Sequence, residues 1–188
     1  MLFQILSFLL DIVVGALAGA CLLRAYMQRQ RISFRNPVGN FIFALTDWLV
    51  LPLRRVLPTK GGWDWGSLLG AYLLMLAEQL ILWGLAPGAA GLAVLPVLAL
   101  FGVMRLVISG LTALVIVNAV LSWFPTTQSS MTDVLNQLVE PLLRPFRGVI
   151  PLIGGIDLSP LALLVLLQIA TIVLGNVQGQ VLRGLLAG

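Results

Sequence analysis

The chain has 188 residues, of which 10% are charged and 60% hydrophobic, where a soluble domain carries about 25% and 45–50%. Too few charges remain to coat a water-soluble globule, and the mean hydropathy of +1.05 points to an integral membrane protein instead. With no histidine and a single cysteine, Cys21, the chain has no His-based triad, no histidine ligand for zinc or haem, no internal disulfide and no CxxC pair.

The first apolar stretch, residues 2–23, approaches the ~20 residues that cross a hydrocarbon core as a helix. No Lys or Arg precedes it and Asp11 lies inside it, so it reads as a retained span and not as a cleaved signal peptide. A basic loop, 24–66, follows with Arg24, Arg29, Arg31, Arg35, Arg54, Arg55 and Lys60. Within it, Asn40, Asp47 and Arg54 recur every seven residues. That spacing places them on one stripe of a helix whose remaining positions, among them Phe41, Leu45, Trp48 and Leu49, are apolar. Such a helix is expected to lie in the plane of the membrane interface, bent or broken at Pro52.

The second span, 67–83, carries Glu78. The connection 85–102 has no charge before Gly102 and holds one turn signal, Gly84 to Gly88. From Gly66 to Phe124 there is room for two crossings but not three with their turns, so residues 89–100 are expected to re-enter the bilayer or lie at its surface. The third span, 103–123, carries Arg105. The loop 124–157 follows with Arg144 and Arg147, and 158–177 is the fourth span. Positive charge gathers in the two long loops, which places both in the cytoplasm and both termini outside. The same rule accounts for the high isoelectric point without nucleic acid as a partner.

Laid on itself at an offset of 93 residues, the chain aligns Pro52, Arg54, Val56, Pro58, Gly61, Gly62 and Asp64 with Pro145, Arg147, Val149, Pro151, Gly154, Gly155 and Asp157. These are seven identities in 13 positions. In the second copy Asp133, Glu140 and Arg147 form the seven-residue stripe, joined by Asn136, Gln137 and Arg144. The expected fold is therefore an all-α integral membrane protein of four transmembrane helices. They form two tandem parallel repeats, 1–88 and 89–188, each with a cytoplasmic amphipathic interfacial segment between its two spans.

The doubled pattern resembles the YggT family of small membrane proteins of bacteria and plastids. It rests on Arg24-Ala25-Tyr26-Met27 and Leu121-Ser122-Trp123 at the ends of spans, on Asn36-Pro37, and on the repeated Pro-x-Arg and Gly-Gly-x-Asp elements. In the second unit Ser129-Ser130 stands where the first has Asn36-Pro37, and Gly148 stands opposite Arg55. The resemblance implies a bacterial inner-membrane, multi-pass protein linked to osmotic or cation tolerance, to cell division and shape, or in plastids to cytochrome assembly.

Three sets of residues are candidates for function. Arg54, Arg55, Arg144 and Arg147 suit anionic lipid or an acidic protein partner, or simply anchor the surface segments to phosphates. Asp64 and Asp157, after the Gly-Gly turns, are expected to cap the next span, with a ligand site as the alternative. Asp11, Glu78 and Arg105 are costly inside a bilayer, so Arg105 is expected to pair with Glu78, Asp11 or both, as packing or as an ion relay. Gly15/Gly19, Gly66/Gly70 and Gly175/Gly179 give small-residue faces for close helix packing, within the chain or in a homo-oligomer. The leading expectation is a non-catalytic scaffold or accessory protein without cofactor or metal; the alternative is a small ion transporter or channel component.

Overall fold

Apolar chain in a bilayer must satisfy its own backbone hydrogen bonds, and helices do so within one segment. A computed structural model describes residues 1–57, 61–85, 91–122, 130–149 and 157–187. Among them the elements are α1 (Leu2–Arg29), α2 (Pro37–Val56), α3 (Trp65–Leu85), α4 (Leu95–Ser122), α5 (Ser130–Arg147) and α6 (Ser159–Ala187), with a 3-10 turn at Leu92–Val94 before α4. Four helical segments, Leu2–Arg29, Trp65–Leu85, Leu92–Ser122 and Ser159–Leu185, are long and apolar enough to cross a membrane.

The helix ends differ from the sequence expectation where polar residues continue a helix past its apolar edge. Helix α1 runs on to Arg29 and ends with Arg31 in the left-handed region at φ 56°. The Ile32 amide donates to the Met27 carbonyl and the Arg31 amide to that of Gln28, a Schellman ending. Residues 95–100 form the first turns of α4, whose 28 residues reach about 42 Å. Pro96, second in that helix, lacks an N–H where none has an intrahelical partner. The 86–90 turn, Lys60, Trp123, Ser129 and the Gly154-Gly155 pair lie outside the described residues.

The packing repeats as the sequence does. Helix α3 packs on α1 and α2, and α6 packs on α4 and α5, while α3 meets α4 between the units. Val14, Ala18 and Cys21 of α1, Ala71 and Met75 of α3 and Ala99 of α4 form one core, closed by Val50 of α2. Val115, Val139, Leu143, Leu163 and Leu167 form the corresponding core of the second unit. A third cluster joins the units, setting Val134 and Leu138 of α5 against Met27, Ile32 and Ile42.

Glycine permits two close approaches of α3 to its neighbours. At Gly66 a Cβ would stand 2.9 Å from Cγ of Arg54, and at Gly70 it would touch Leu49, Leu53 and Cys21, so this small-residue face is used within the chain. Gly15, Gly19, Gly175 and Gly179 meet nothing within 4 Å. Gly61 and Gly62 adopt φ of 66° and 80°, the left-handed values that turn the chain from α2 into α3.

Candidate functional site

The most polar part of the interior lies where α1, α2 and α3 converge. Helix α2 is held at its start by Asn36, whose Oδ1 accepts the Gly39 amide, followed by Pro37 at the first helical position. This fixes the rotation of α2 and turns Thr46, Asp47 and Arg54 toward the neighbouring spans.

Arg24 of α1 is almost fully buried. Its Nη1 donates to Thr46 Oγ1 and to Asp47 Oδ1, both at 2.7 Å, and its guanidinium lies 4.6 Å from the Phe43 ring centroid. Its Nε finds no hydrogen-bond acceptor but stands 3.9 Å from Asp64 Oδ2. Asp64 is wholly buried. Arg54 grips it in bidentate fashion, Nε to Oδ1 at 3.2 Å and Nη2 to Oδ2 at 2.5 Å, and Nη2 also reaches Gln28 Oε1 at 2.8 Å. The amide and hydroxyl of Ser67 donate to the same carboxylate, so Asp64 both closes the clamp and caps α3. Burial pushes its pKa up, yet the hydrogen bonds from Arg54 and Ser67 and the Arg54 charge together hold it below the usual carboxylate value.

The second unit carries the same clamp in a barer form. Arg147 donates to Asp157 Oδ2 at 2.8 Å and to Glu140 Oε2 at 2.5 Å, the positions aligned with Arg54, Asp64 and Asp47. Asp157 Oδ1 accepts the Ser159 amide at 2.9 Å. Ser159 and Arg147 together hold the Asp157 pKa below the usual carboxylate value, against its partial burial. The Asp157 hydrogen bond in turn raises that of Arg147. Where the first unit has Thr46, the second has Val139, which is buried among Val115, Leu143, Leu163 and Leu167.

Of the four arginines singled out in the sequence, Arg54 and Arg147 are therefore occupied by carboxylates, while Arg55 and Arg144 are exposed. The intramembrane trio needs correction. Arg105 does not pair with Glu78 or Asp11: its Nη2 donates to Gln178 of α6 at 2.9 Å, and no ion pair among the described residues joins it to either acid. The reason is axial register: a Cβ on Gly102 would meet Met75, and because the successive helices α3 and α4 run antiparallel, Glu78 and Arg105, each three residues further on, are carried about 9 Å apart along the helices. Glu78 is 5% exposed on the inward face of α3. Asn118 bonds across to Asn136 of α5 at 2.8 Å.

Sequence reasoning missed Arg24 as the hub. The signal was present: Arg24 and Gln28 are one turn apart on one face, at the end of an apolar span, and the following loop supplies Asp47 and Asp64. No group of three or more potential metal ligands exists among the described residues.

The family model for CCB3/YggT matches residues 3–85 and again 97–178. The uncharacterized protein YggT of Escherichia coli K12 is 36% identical over 167 residues, covering 87% of this chain and 86% of its own. The uncharacterized protein in the proC 3′ region of Vibrio alginolyticus is 32% identical over 94% of this chain and 96% of its own. Pseudomonas aeruginosa PA0392, also uncharacterized, is 38% identical over 82% and 81%. No solved structure matches.

Proposed function

The chain belongs to the CCB3/YggT family, and within that family of multi-pass membrane proteins we propose that it is a non-catalytic scaffold or accessory protein of the bacterial inner membrane. Its two long loops are cytoplasmic, its termini lie outside, and α2 and α5 rest at the cytoplasmic interface against anionic lipid or a protein partner. The observation that carries this reading is the doubled clamp, Arg54–Asp64 and Arg147–Asp157. In each unit it fastens the shorter helix to the following span and spends the acids on structure. What stays exposed is a basic edge of Arg29, Arg31, Arg35 and Arg55 in the first unit, each worth ~1 kcal/mol near an anionic leaflet.

A second reading, ion transport in osmotic or cation tolerance, is favoured by Glu78, a carboxylate buried in a span. Reconstitution into proteoliposomes decides between them. Cation flux above the protein-free background is expected to be absent; flux that Glu78→Ala abolishes overturns the scaffold reading in favour of transport.

A further inference from the structure

Between the two units the spans do not close. An apolar groove of about 700 Å³ runs between α1 and α4, floored by α5, and Gly19, Tyr26, Trp63, Gly110, Leu114 and Leu142 are among its walls. Its volume lies inside the range of about 300–1,000 Å³ found for small-molecule sites. On α1 it runs from Gly19 to Tyr26 and on α4 from Leu106 to Val117, or about 10–16 Å along the helices. That is the depth of one leaflet, half of the ~30 Å hydrocarbon core.

The groove has an apolar end and a polar end. Tyr26 and Trp63 stand at its mouth, the residue types that favour the headgroup level of a bilayer. Above Trp63 lies the exposed guanidinium of Arg29, 5.5 Å from the ring centroid. Unlike Arg24, Arg54 and Arg147, it has no carboxylate partner among the described residues.

We propose that this groove is a lipid site: it holds an acyl chain of one anionic phospholipid whose phosphate is received by Arg29 over Trp63. The inference deepens the reading of an anionic-lipid contact and rests on it. Leaflet depth, an apolar lining and a single cation at the mouth match the three parts of such a lipid. Basic pockets between spans on the cytoplasmic side take anionic headgroups in the same way. A helix from a second copy fits poorly, since a cylinder about 10 Å across would place only about 9 Å of its length, under two turns, in this volume.

The test uses the full chain in bilayers of phosphatidylcholine, with Trp48, Trp65, Trp83 and Trp123 replaced by Phe so that Trp63 alone fluoresces. A minor fraction of lipid brominated on its acyl chains is added, as phosphatidylglycerol or as phosphatidylcholine. Phosphatidylglycerol is expected to be the better quencher by about fivefold in effective concentration, the worth of one arginine at an anionic surface. Arg29→Gln should remove the preference. Gly110→Leu, placed where a Cβ meets nothing within 4 Å, should fill the groove and remove quenching while the protein stays folded. Equal quenching by the two lipids, or a preference that survives Arg29→Gln, overturns the proposal. Protection of Trp63 that grows with protein density assigns the groove to a second copy and overturns it too. None of these readouts involves ion flux, so the site fails or stands separately from the scaffold reading.

Discussion

Asp64 and Asp157 hold aligned positions and the same arginine partner, yet they should not respond alike to substitution. Read as simple caps they are equivalent, and Asn, itself a good cap, would be mild at both. The structure separates them: Asp64 is 0% exposed, whereas Asp157 is 30% exposed, its partner Arg147 44%, and Glu140, the other acid on Arg147, 57%. Removing one partner of a buried pair costs about 3–5 kcal/mol; exposed pairs are worth about 0–1. Because Arg54 is 30% exposed, Asp64→Asn should fall at or somewhat below the lower end of the buried range, and Asp157→Asn should cost under ~1 kcal/mol. Thermal unfolding of the two variants in detergent measures the difference. The same carboxylate predicts a pH dependence. Its folded pKa is depressed, so its stabilisation is complete above the ordinary Asp value of about 3.9 and is lost as pH falls through the lower folded value. Asp64→Asn should flatten that acid limb.

At the scale of elements, hydropathy made the four spans legible, because membrane depth demands a run of apolar residues of fixed length. The seven-residue stripes left open what the acids and arginines of each shorter helix face. In α5, Asp133, Asn136, Gln137, Glu140 and Arg144 are exposed and Val134, Leu138, Val139 and Leu143 are buried. In α2 Asn40 is exposed but Asp47 and Arg54 bond to Arg24 and Asp64, while Phe41, Trp48 and Leu51 face out. Nothing in the spacing distinguishes these cases, since the difference lies in whether the preceding span offers an arginine. The rotation of α2 is set by its entry, and there Gly39 is indispensable. A Cβ on it would stand 2.4 Å from the carbonyl oxygen of Phe34 and 2.8 Å from its Cα, backbone atoms that cannot swing aside. Gly39→Ala should therefore shift the 33–36 turn, loosen the Asn36 cap and with it the Arg24–Thr46–Asp47 contact. A loss of about 1–3 kcal/mol, the usual cost of an overpacked site, is expected in the same unfolding assay, against little change for Gly19→Ala, which meets open space.

For the whole molecule, the repeat states more than either unit does. Each unit has two long apolar helices with a clamped shorter helix between them, so both shorter helices must emerge on the same side of any bilayer the protein spans. The contacts between units agree: the Tyr26 hydroxyl of α1 donates to the Leu138 carbonyl of α5 at 2.8 Å, and Met27 and Ile42 share a cluster with Val134 and Leu138, bringing the ends of α1, α2 and α5 together. What the sequence left unseen was this junction, because Tyr26 and Leu138 are 112 positions apart. The proposed cytoplasmic placement of this side rests on the positive-inside rule, since Arg29, Arg31, Arg35, Arg54, Arg55, Arg144 and Arg147 all lie in the two loops. The buried Cys21 can be replaced by Ala to give a background without thiols. In it, single cysteines at the exposed positions Arg55 and Arg144 should both react with an impermeant maleimide from the cytoplasmic side alone, in inverted vesicles and not in intact cells. Labelling of the two from opposite sides would break the parallel arrangement of the repeats. Labelling of both from outside would keep the arrangement, reverse the protein, and set its basic edge against the wrong leaflet for an anionic cytoplasmic surface.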